Sequence, residues 1–213
     1  MNILVLAAGY GNRMDDLTKN IPKPMLKINQ KMLIDYAIEI AQKISHQRIF
    51  VNTHYQNQIL ESYIKENYLD IFISHEPKIL GTGGAIKKIQ NDDLLILNTD
   101  NLWQETFVNE IKESINFFNK NKNVENLLLV NSNSENFDLE MKSKNIINFP
   151  SVNHNTQFQG CHLIRNKSLN HYPDIFNIQD YWINSSIEGK LYGYETVSIN
   201  LHVGTKELYL KYQ

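Results

Sequence analysis

Apolar runs of strand length alternate along this chain with longer segments whose apolar positions recur every three or four residues. Residues 3–8 form a continuous apolar run, the pattern of a strand covered on both faces. Leu33, Tyr36, Ala37, Ile40, Ala41 and Ile44 follow helical spacing and predict an amphipathic helix over 33–44. The same reading predicts strands over 48–52, 70–74, 94–98 and 127–130, and helices over 56–66 and 108–118. A glycine turn at 81–84 is expected to lead into a short helix near 85–90. Tyr and Phe at helical spacing within 55–72 and 107–118 read as core.

Strands alternating with helices predict an α/β fold: a mostly parallel central sheet with helices on both faces and right-handed crossovers. The pattern changes at about 135–165, where the short segments 137–141, 146–149 and 157–164 have no helices between them. These are expected to be antiparallel strands in a small edge region. A helix near 179–188, a strand near 191–198 and a terminal helix from Lys206 complete the pattern. There is no internal repeat, low-complexity tract or Pro/Ser-rich linker. Residues 1–213 are therefore expected to form a single domain, with a first half at about 1–130 and a second at about 131–213.

Composition narrows the function classes. The chain has 213 residues, 42% of them hydrophobic and 21% charged, with only 9 glycines and 5 prolines, which is a globular balance. A net charge of −2 argues against a general nucleic-acid binder, so any positive charge used on phosphates must be local. The one cysteine, Cys161, rules out an internal disulfide and a thiolate zinc site, and reads as a buried inert thiol. The N-terminal apolar run lacks a basic flank and breaks at 9–13, unlike a signal peptide, and no run is long enough to span a membrane. The expectation is a cytoplasmic protein with neither nucleic acid nor membrane as partner.

The first strand runs into Leu6-Ala7-Ala8-Gly9-Tyr10-Gly11-Asn12-Arg13-Met14. Two glycines after a buried strand let the backbone turn tightly and present amide N–H groups to an anion. A Rossmann fingerprint would need a third glycine at the position of Met14, and Gly81 lacks the second glycine of a Walker A loop. Taken alone, G-x-G also fits a plain tight turn. Its neighbourhood adds weight: between Arg13 and Lys31 lie five basic side chains against Asp15 and Asp16. Lys23 sits between Pro22 and Pro24, which is expected to hold it on a stiff, extended backbone. His54, His75, His154, His162 and His171 show no metal-ligand spacing and are expected to be satisfied or exposed.

With these residues in view, LAAGYGNRM followed by IPKPML resembles the signature of the sugar-1-phosphate nucleotidyltransferases, in their compact bacterial form. Glu76-Pro77 and Leu80-Gly81-Thr82-Gly83-Gly84-Ala85-Ile86 resemble the family's nucleobase and ribose segment. Residues 95–100, ending in Asn98-Thr99-Asp100, resemble its strand before a metal-binding aspartate. Gly160 stands where a glycine lines the sugar pocket, and Val203-Gly204-Thr205 resembles the closing V-G-T.

The resemblance implies a Rossmann-like nucleotidyltransferase fold and an enzyme that moves a nucleotidyl group from an NTP to a sugar 1-phosphate. Pyrophosphate is released, and the product is a nucleotide sugar for surface glycan synthesis in the cell envelope. It implies Arg13 and Lys23 as catalytic cations, and Leu6, Ala7, Ala8, Gly9, Gly11, Glu76, Gly81, Thr82 and Gly83 around the nucleotide. Asn98 and Gly160 would meet the sugar, while Asp100 and His202 would hold Mg²⁺, with Mn²⁺ as the alternative. The partners implied are an NTP and a phosphorylated small-molecule acceptor. The resemblance implies that the first half of the chain, about 1–130, binds the nucleotide and the second, about 131–213, the sugar or other acceptor.

Three departures stand out. His202 replaces the second metal aspartate, Thr99 replaces a glycine and is expected to put a side chain near the ribose or sugar, and Asp16 replaces a proline. Two other readings therefore stay open: a cytidylyltransferase acting on choline phosphate or another non-sugar phosphate, and a nucleotide-binding protein that has lost catalysis.

Overall fold

A computed structural model describes residues 1–213. The chain opens with β1 (Asn2–Leu6), β2 (Lys27–Ile28), β3 (Lys31–Met32), α1 (Leu33–Gln42), β4 (Ile49–Thr53), α2 (Asn57–Asn67) and β5 (Ile71–His75). It continues with α3 (Gly81–Ile89), β6 (Leu94–Asn98), β7 (Asn101–Leu102), α4 (Phe107–Lys120) and β8 (Asn126–Asn131). Last come β9 (Glu140–Met141), β10 (Ile147–Asn148), β11 (Gln157–Ile164), α5 (Ile178–Ile187), β12 (Leu191–Glu195), β13 (Leu201–His202) and α6 (Lys206–Tyr212). No helix is long and apolar enough to cross a membrane.

The α/β expectation holds. The chain forms two compact units that interleave in sequence: Met1–Ile79, Ile96–Glu105 and Asn200–Gln213 make the first, Leu80–Leu95 and Thr106–Ile199 the second. In the first unit the strand order is β6-β1-β4-β5. β1 pairs parallel to β4, and β4 parallel to β5. Ile3, Leu4 and Val5 are fully buried, as a doubly covered parallel strand requires. α1 buries Leu33, Ile34, Ala37, Ile38, Ile40 and Ala41, and each of its leucine and isoleucine side chains contributes about 2 kcal/mol of apolar burial. Asp35, on the same helix, is also buried, and it accepts hydrogen bonds from Tyr63 Oη (2.9 Å), Tyr68 Oη (2.7 Å) and the Met32 N–H (3.2 Å).

A second cluster in this unit joins distant segments: Met14, Leu26, Ile28, Leu33, Leu102, Val203 and Tyr209 are buried together. Met14, the residue that spoils a dinucleotide fingerprint, is thus the anchor of its loop.

In the second unit the order is β12-β8-β11, with β12 parallel and β11 antiparallel to β8. The antiparallel character expected after residue 135 is present, but 137–141 and 146–149 shrink to the two-residue strands β9 and β10, which pair with each other. Cys161 is buried, and burial pushes its thiol pKa up, so it is inert.

Three expectations need correction. Phe72, read as core, is 47% exposed: it lies on β5, the edge strand of its sheet, with its ring 5.6 Å from that of Phe50. His162, read as satisfied or exposed, is 2% exposed with neither ring nitrogen hydrogen-bonded. Its ring lies 6.0 Å from that of Phe158 and 5.7 Å from that of Trp182, and burial holds its pKa down to about 3. Lastly, the glycines at 81–84 do not form a turn before a helix. They are the first turn of α3, because the segment Asp174–Asn177 packs against them more closely than any side chain would allow.

Candidate active site

Three side chains of the first unit converge on one carboxylate oxygen of a fourth, Asp100. Lys23 Nζ donates to Asp100 Oδ2 at 2.9 Å, His202 Nε2 lies 3.2 Å from the same oxygen, and Arg13 Nη2 lies 4.0 Å away. The Asp100 side chain is 19% exposed and that of Lys23 12%, whereas Arg13 is 66% exposed. Burial alone would raise the Asp100 carboxyl; the hydrogen bond from His202 and the charge of Lys23 overcome it and hold the carboxyl well below the usual range. Burial also lowers the pKa of Lys23, and Asp100 offsets part of that shift.

Local chemistry explains why each group arrives there. Asp100 follows the carboxyl end of β6, where an open α/β sheet places its ligands. Lys23 begins a 3₁₀ turn, Lys23–Met25, closed by Met25 N–H to the Pro22 carbonyl (2.9 Å) and Leu26 N–H to the Lys23 carbonyl (3.0 Å). This corrects the extended backbone expected between the two prolines; burial of Pro24 and Met25 supplies the rigidity instead. Arg13 is carried by the loop that buried Met14 anchors.

His202 is held by the three residues after it. Val203 joins the buried cluster, and its N–H donates to the Asp100 carbonyl at 2.7 Å. Gly204 lies directly under the imidazole, where any Cβ would collide with the ring. Thr205 caps α6, its hydroxyl accepting from the Leu208 N–H at 3.3 Å. In addition, β13 pairs with β7 so that His202 stands opposite Asn101.

The loop after β1 borders this cluster. Gly11 adopts φ 70°, and a Cβ there would meet Thr18 Cγ2 at 3.0 Å and Lys23 Cβ at 3.2 Å, so both backbone and packing demand glycine. Gly9 differs, since a Cβ there would meet nothing within 4 Å. Ala7 and Ala8 are buried, and the Ala7 N–H donates to Asn52 Oδ1 at 2.6 Å. Asn52 Nδ2 in turn donates to Glu76 Oε1 at 2.8 Å. The Glu76 carbonyl receives the Nδ1 proton of His54 (2.7 Å), and His54 Nε2 lies 3.2 Å from Tyr10 Oη. A relay of hydrogen bonds therefore links Glu76 to Ala7 on one side and to Tyr10 on the other. Sequence reasoning missed Asn52 and Gly204. For Asn52 a signal existed, a polar residue at the carboxyl end of a predicted strand; for Gly204 there was none beyond the V-G-T resemblance.

Other expected site residues have structural partners. The Leu6 carbonyl accepts from Thr99 Oγ1 at 2.7 Å. Thr99 is buried, which corrects the expectation that its side chain faces a ribose or sugar. The Asn98 carbonyl accepts from Trp103 Nε1 at 2.8 Å. Asp16, in place of a proline, forms an exposed ion pair with Lys206. Gly81, Thr82, Gly83 and Gly160 belong to the second unit. There the Gly83 and Gly84 N–H groups donate to the Phe176 carbonyl at 3.1 and 3.2 Å, and Gly160 takes φ 75° within β11.

Chemically, the first unit offers a largely buried carboxylate and ammonium, an exposed guanidinium and a glycine loop with open backbone at Gly9. That set suits a polyanion. For a cation, Asp100 and His202 supply one oxygen and one nitrogen donor, and no cluster of three or more His, Cys, Asp or Glu is present. Two protein donors fit a divalent ion whose remaining ligands are phosphate oxygens and water.

Comparison with known proteins agrees with this chemistry. The family model described as nucleotidyl transferase matches residues 2–141. A D-glycero-alpha-D-manno-heptose 1-phosphate guanylyltransferase of Campylobacter jejuni subsp. jejuni serotype O:2 is 33% identical over 105 residues, 47% of this chain and 48% of that protein. A protein of the same name from Aneurinibacillus thermoaerophilus is 31% identical over 109 residues, 48% of this chain and 47% of that one. The chain thus spans about half the length of the curated relatives it matches. In fold it is similar to a UDP-glucose pyrophosphorylase solved with UDP-glucose, with a TM-score of 0.78 at 19% identity over 99% of this chain and 95% of that one.

Proposed function

This chain belongs to the nucleotidyl transferase family, and from that premise we propose that it transfers a nucleotidyl group from an NTP to a sugar 1-phosphate, forming a nucleotide sugar. An oxygen of the acceptor phosphate forms a bond to the α-phosphorus. The bond from that phosphorus to the bridging oxygen breaks, and pyrophosphate leaves with the electron pair. The observation that carries the reading is the convergence of Lys23, Arg13 and His202 on Asp100, beside the glycine loop.

Catalysis of this kind is positioning and charge neutralisation. The backbone at Gly9 and Gly11 receives the triphosphate. Arg13, whose side chain is exposed, takes the departing pyrophosphate. Lys23 trades Asp100 for phosphate oxygens and draws the two anions together. Asp100 and His202 would hold a divalent cation, Mg²⁺ or Mn²⁺, which neutralises phosphate charge when bound. Glu76, fixed by Asn52, would meet the base, with Leu6, Ala7 and Ala8 as its floor. Asn98, at the end of β6, would meet the sugar. A cytoplasmic enzyme serving envelope glycans is the setting this reading supports.

The test is pyrophosphate release by the pure protein in a matrix of four NTPs against sugar 1-phosphates and choline phosphate, with Mg²⁺ and with Mn²⁺. Release with one sugar 1-phosphate supports the proposal and names both substrates. Release with choline phosphate alone would replace it with the cytidylyltransferase reading, and nucleotide binding without release with the inactive binder.

A further inference from the structure

We propose that His202 makes the cation site a mixed carboxylate–imidazole site that takes a first-row transition cation in preference to Mg²⁺. This deepens the proposed function and rests on it. Two donors each about 2.1 Å from one ion, at a right angle, are about 3.0 Å apart. The separation of Asp100 Oδ2 and His202 Nε2 is 3.2 Å. The two atoms already stand at the spacing of neighbouring ligands.

The fold builds this orientation. Gly204 leaves room for the ring and for nothing else, Val203 pins the backbone to the carbonyl of Asp100 itself, and β13 pairs with β7 in the register that sets His202 beside the aspartate. A charge partner alone would not require it. Asp100 already has Lys23 at 2.9 Å, and Arg13 adds a second positive charge at 4.0 Å. Of the three groups on this oxygen, only His202 can also ligate a cation.

Donor chemistry then sets the choice of ion. Mg²⁺ is small, strongly hydrated and oxygen-seeking, and it gains little from imidazole. Mn²⁺ and Co²⁺ accept an imidazole nitrogen alongside carboxylate and phosphate oxygens.

Mn²⁺ with inorganic pyrophosphate serves as the probe on the full chain. Binding is read from the loss of the free-ion electron paramagnetic resonance signal, with Mg²⁺ as competitor, and ligation from ¹⁴N modulation of the bound ion. The expected result is imidazole ¹⁴N coupling in the wild type, absent from His202→Asp and His202→Ala, with Mn²⁺ preferred over Mg²⁺ by about tenfold and that preference lost in His202→Asp. Bound Mn²⁺ without nitrogen coupling, no bound Mn²⁺, or the same preference in wild type and His202→Asp would overturn the proposal. The wild-type spectrum decides even if a variant fails to fold. Pyrophosphate release with Mg²⁺ but no nitrogen signal would sink this inference alone; a nitrogen signal without turnover on any acceptor would leave the metal site standing and sink the transferase reading.

Discussion

Lys23 and Asp100, 77 positions apart in the chain, meet at 2.9 Å between Nζ and Oδ2. The pair keeps a cation and an anion ready in a half-sequestered place without leaving either charge buried alone. Lys23→Ala is expected to lower nucleotidyl transfer by about 10²–10³-fold, since it removes a charge aimed at the reacting phosphates. Steady-state pyrophosphate release measures this. A loss below threefold would mean that Lys23 serves the fold rather than the reaction.

The two loop glycines should separate. Gly11→Ala must adopt φ 70° and crowd Thr18 and Lys23, so it should destabilise the protein by about 1–2 kcal/mol or more in urea unfolding. Gly9→Ala has open space for its methyl group and should leave stability within about 0.5 kcal/mol. Its cost should appear as weaker nucleotide binding. Equal stability losses in both variants would remove the argument that Gly9 is kept open for a ligand.

Gly204 and His202 should behave as one unit. Gly204→Ala pushes the imidazole off Asp100, whereas in a His202→Ala background the new methyl group has nothing to strike. A double-mutant cycle by thermal or urea unfolding should therefore give a coupling of about 1–3 kcal/mol. Additive effects would show that the ring does not rest on Gly204 in solution.

Asp35 accepts three hydrogen bonds at the base of α1, two of them from tyrosines. Asp35→Ala leaves those donors without a partner and is expected to cost about 2–4 kcal/mol. Ultraviolet titration provides a second check. Burial and the Asp35 carboxylate push the Tyr63 hydroxyl up to about 12, and loss of the carboxylate should bring it back toward 10.

His162 makes the protein acid-sensitive. Its folded pKa, about 3, lies below the ordinary value of 6.5, so below pH 6.5 the unfolded chain binds a proton that the folded chain does not. Its contribution to stability is complete above pH 6.5 and falls by about 1.4 kcal/mol per pH unit between there and about pH 3. Urea unfolding at pH 7.5 and pH 5 should show a drop in the wild type that is smaller by about 2 kcal/mol in His162→Leu. An identical drop in both would mean that His162 takes up its proton in the folded state.

Much of the fold was legible before any coordinates. Residues 3–8 and 94–98 read as buried strands because an unbroken apolar run of that length suits a doubly covered strand. The helix over 33–44 appeared because its apolar side chains share one face at a 3.6-residue period. The short pairs β2–β3, β7–β13 and β9–β10 were invisible or overlong, since two residues carry no periodicity and pair only because distant chain is brought alongside. The glycines at 81–84 suggested a loop because glycine is a poor helix former. Phe176 and its neighbours reversed that outcome by filling the space a side chain would have used.

The candidate site divides along the same line. Residue order set part of the chemistry: a strand that ends in Gly9-x-Gly11, cations at 13 and 23, and an aspartate after a strand at 100. Those are properties of local sequence, because strand ends, turns and side-chain types need no distant neighbour to be read. That the imidazole at 202 stands where a carboxylate is usual came from the family resemblance. Convergence of the cations on Asp100, the seat of His202 on Gly204, and the burial of Thr99 against Leu6 came only with folding. They depend on contacts between segments far apart in the chain, formed when Met14, Leu102 and Val203 bury their apolar surface together, and no local pattern encodes which segments will meet.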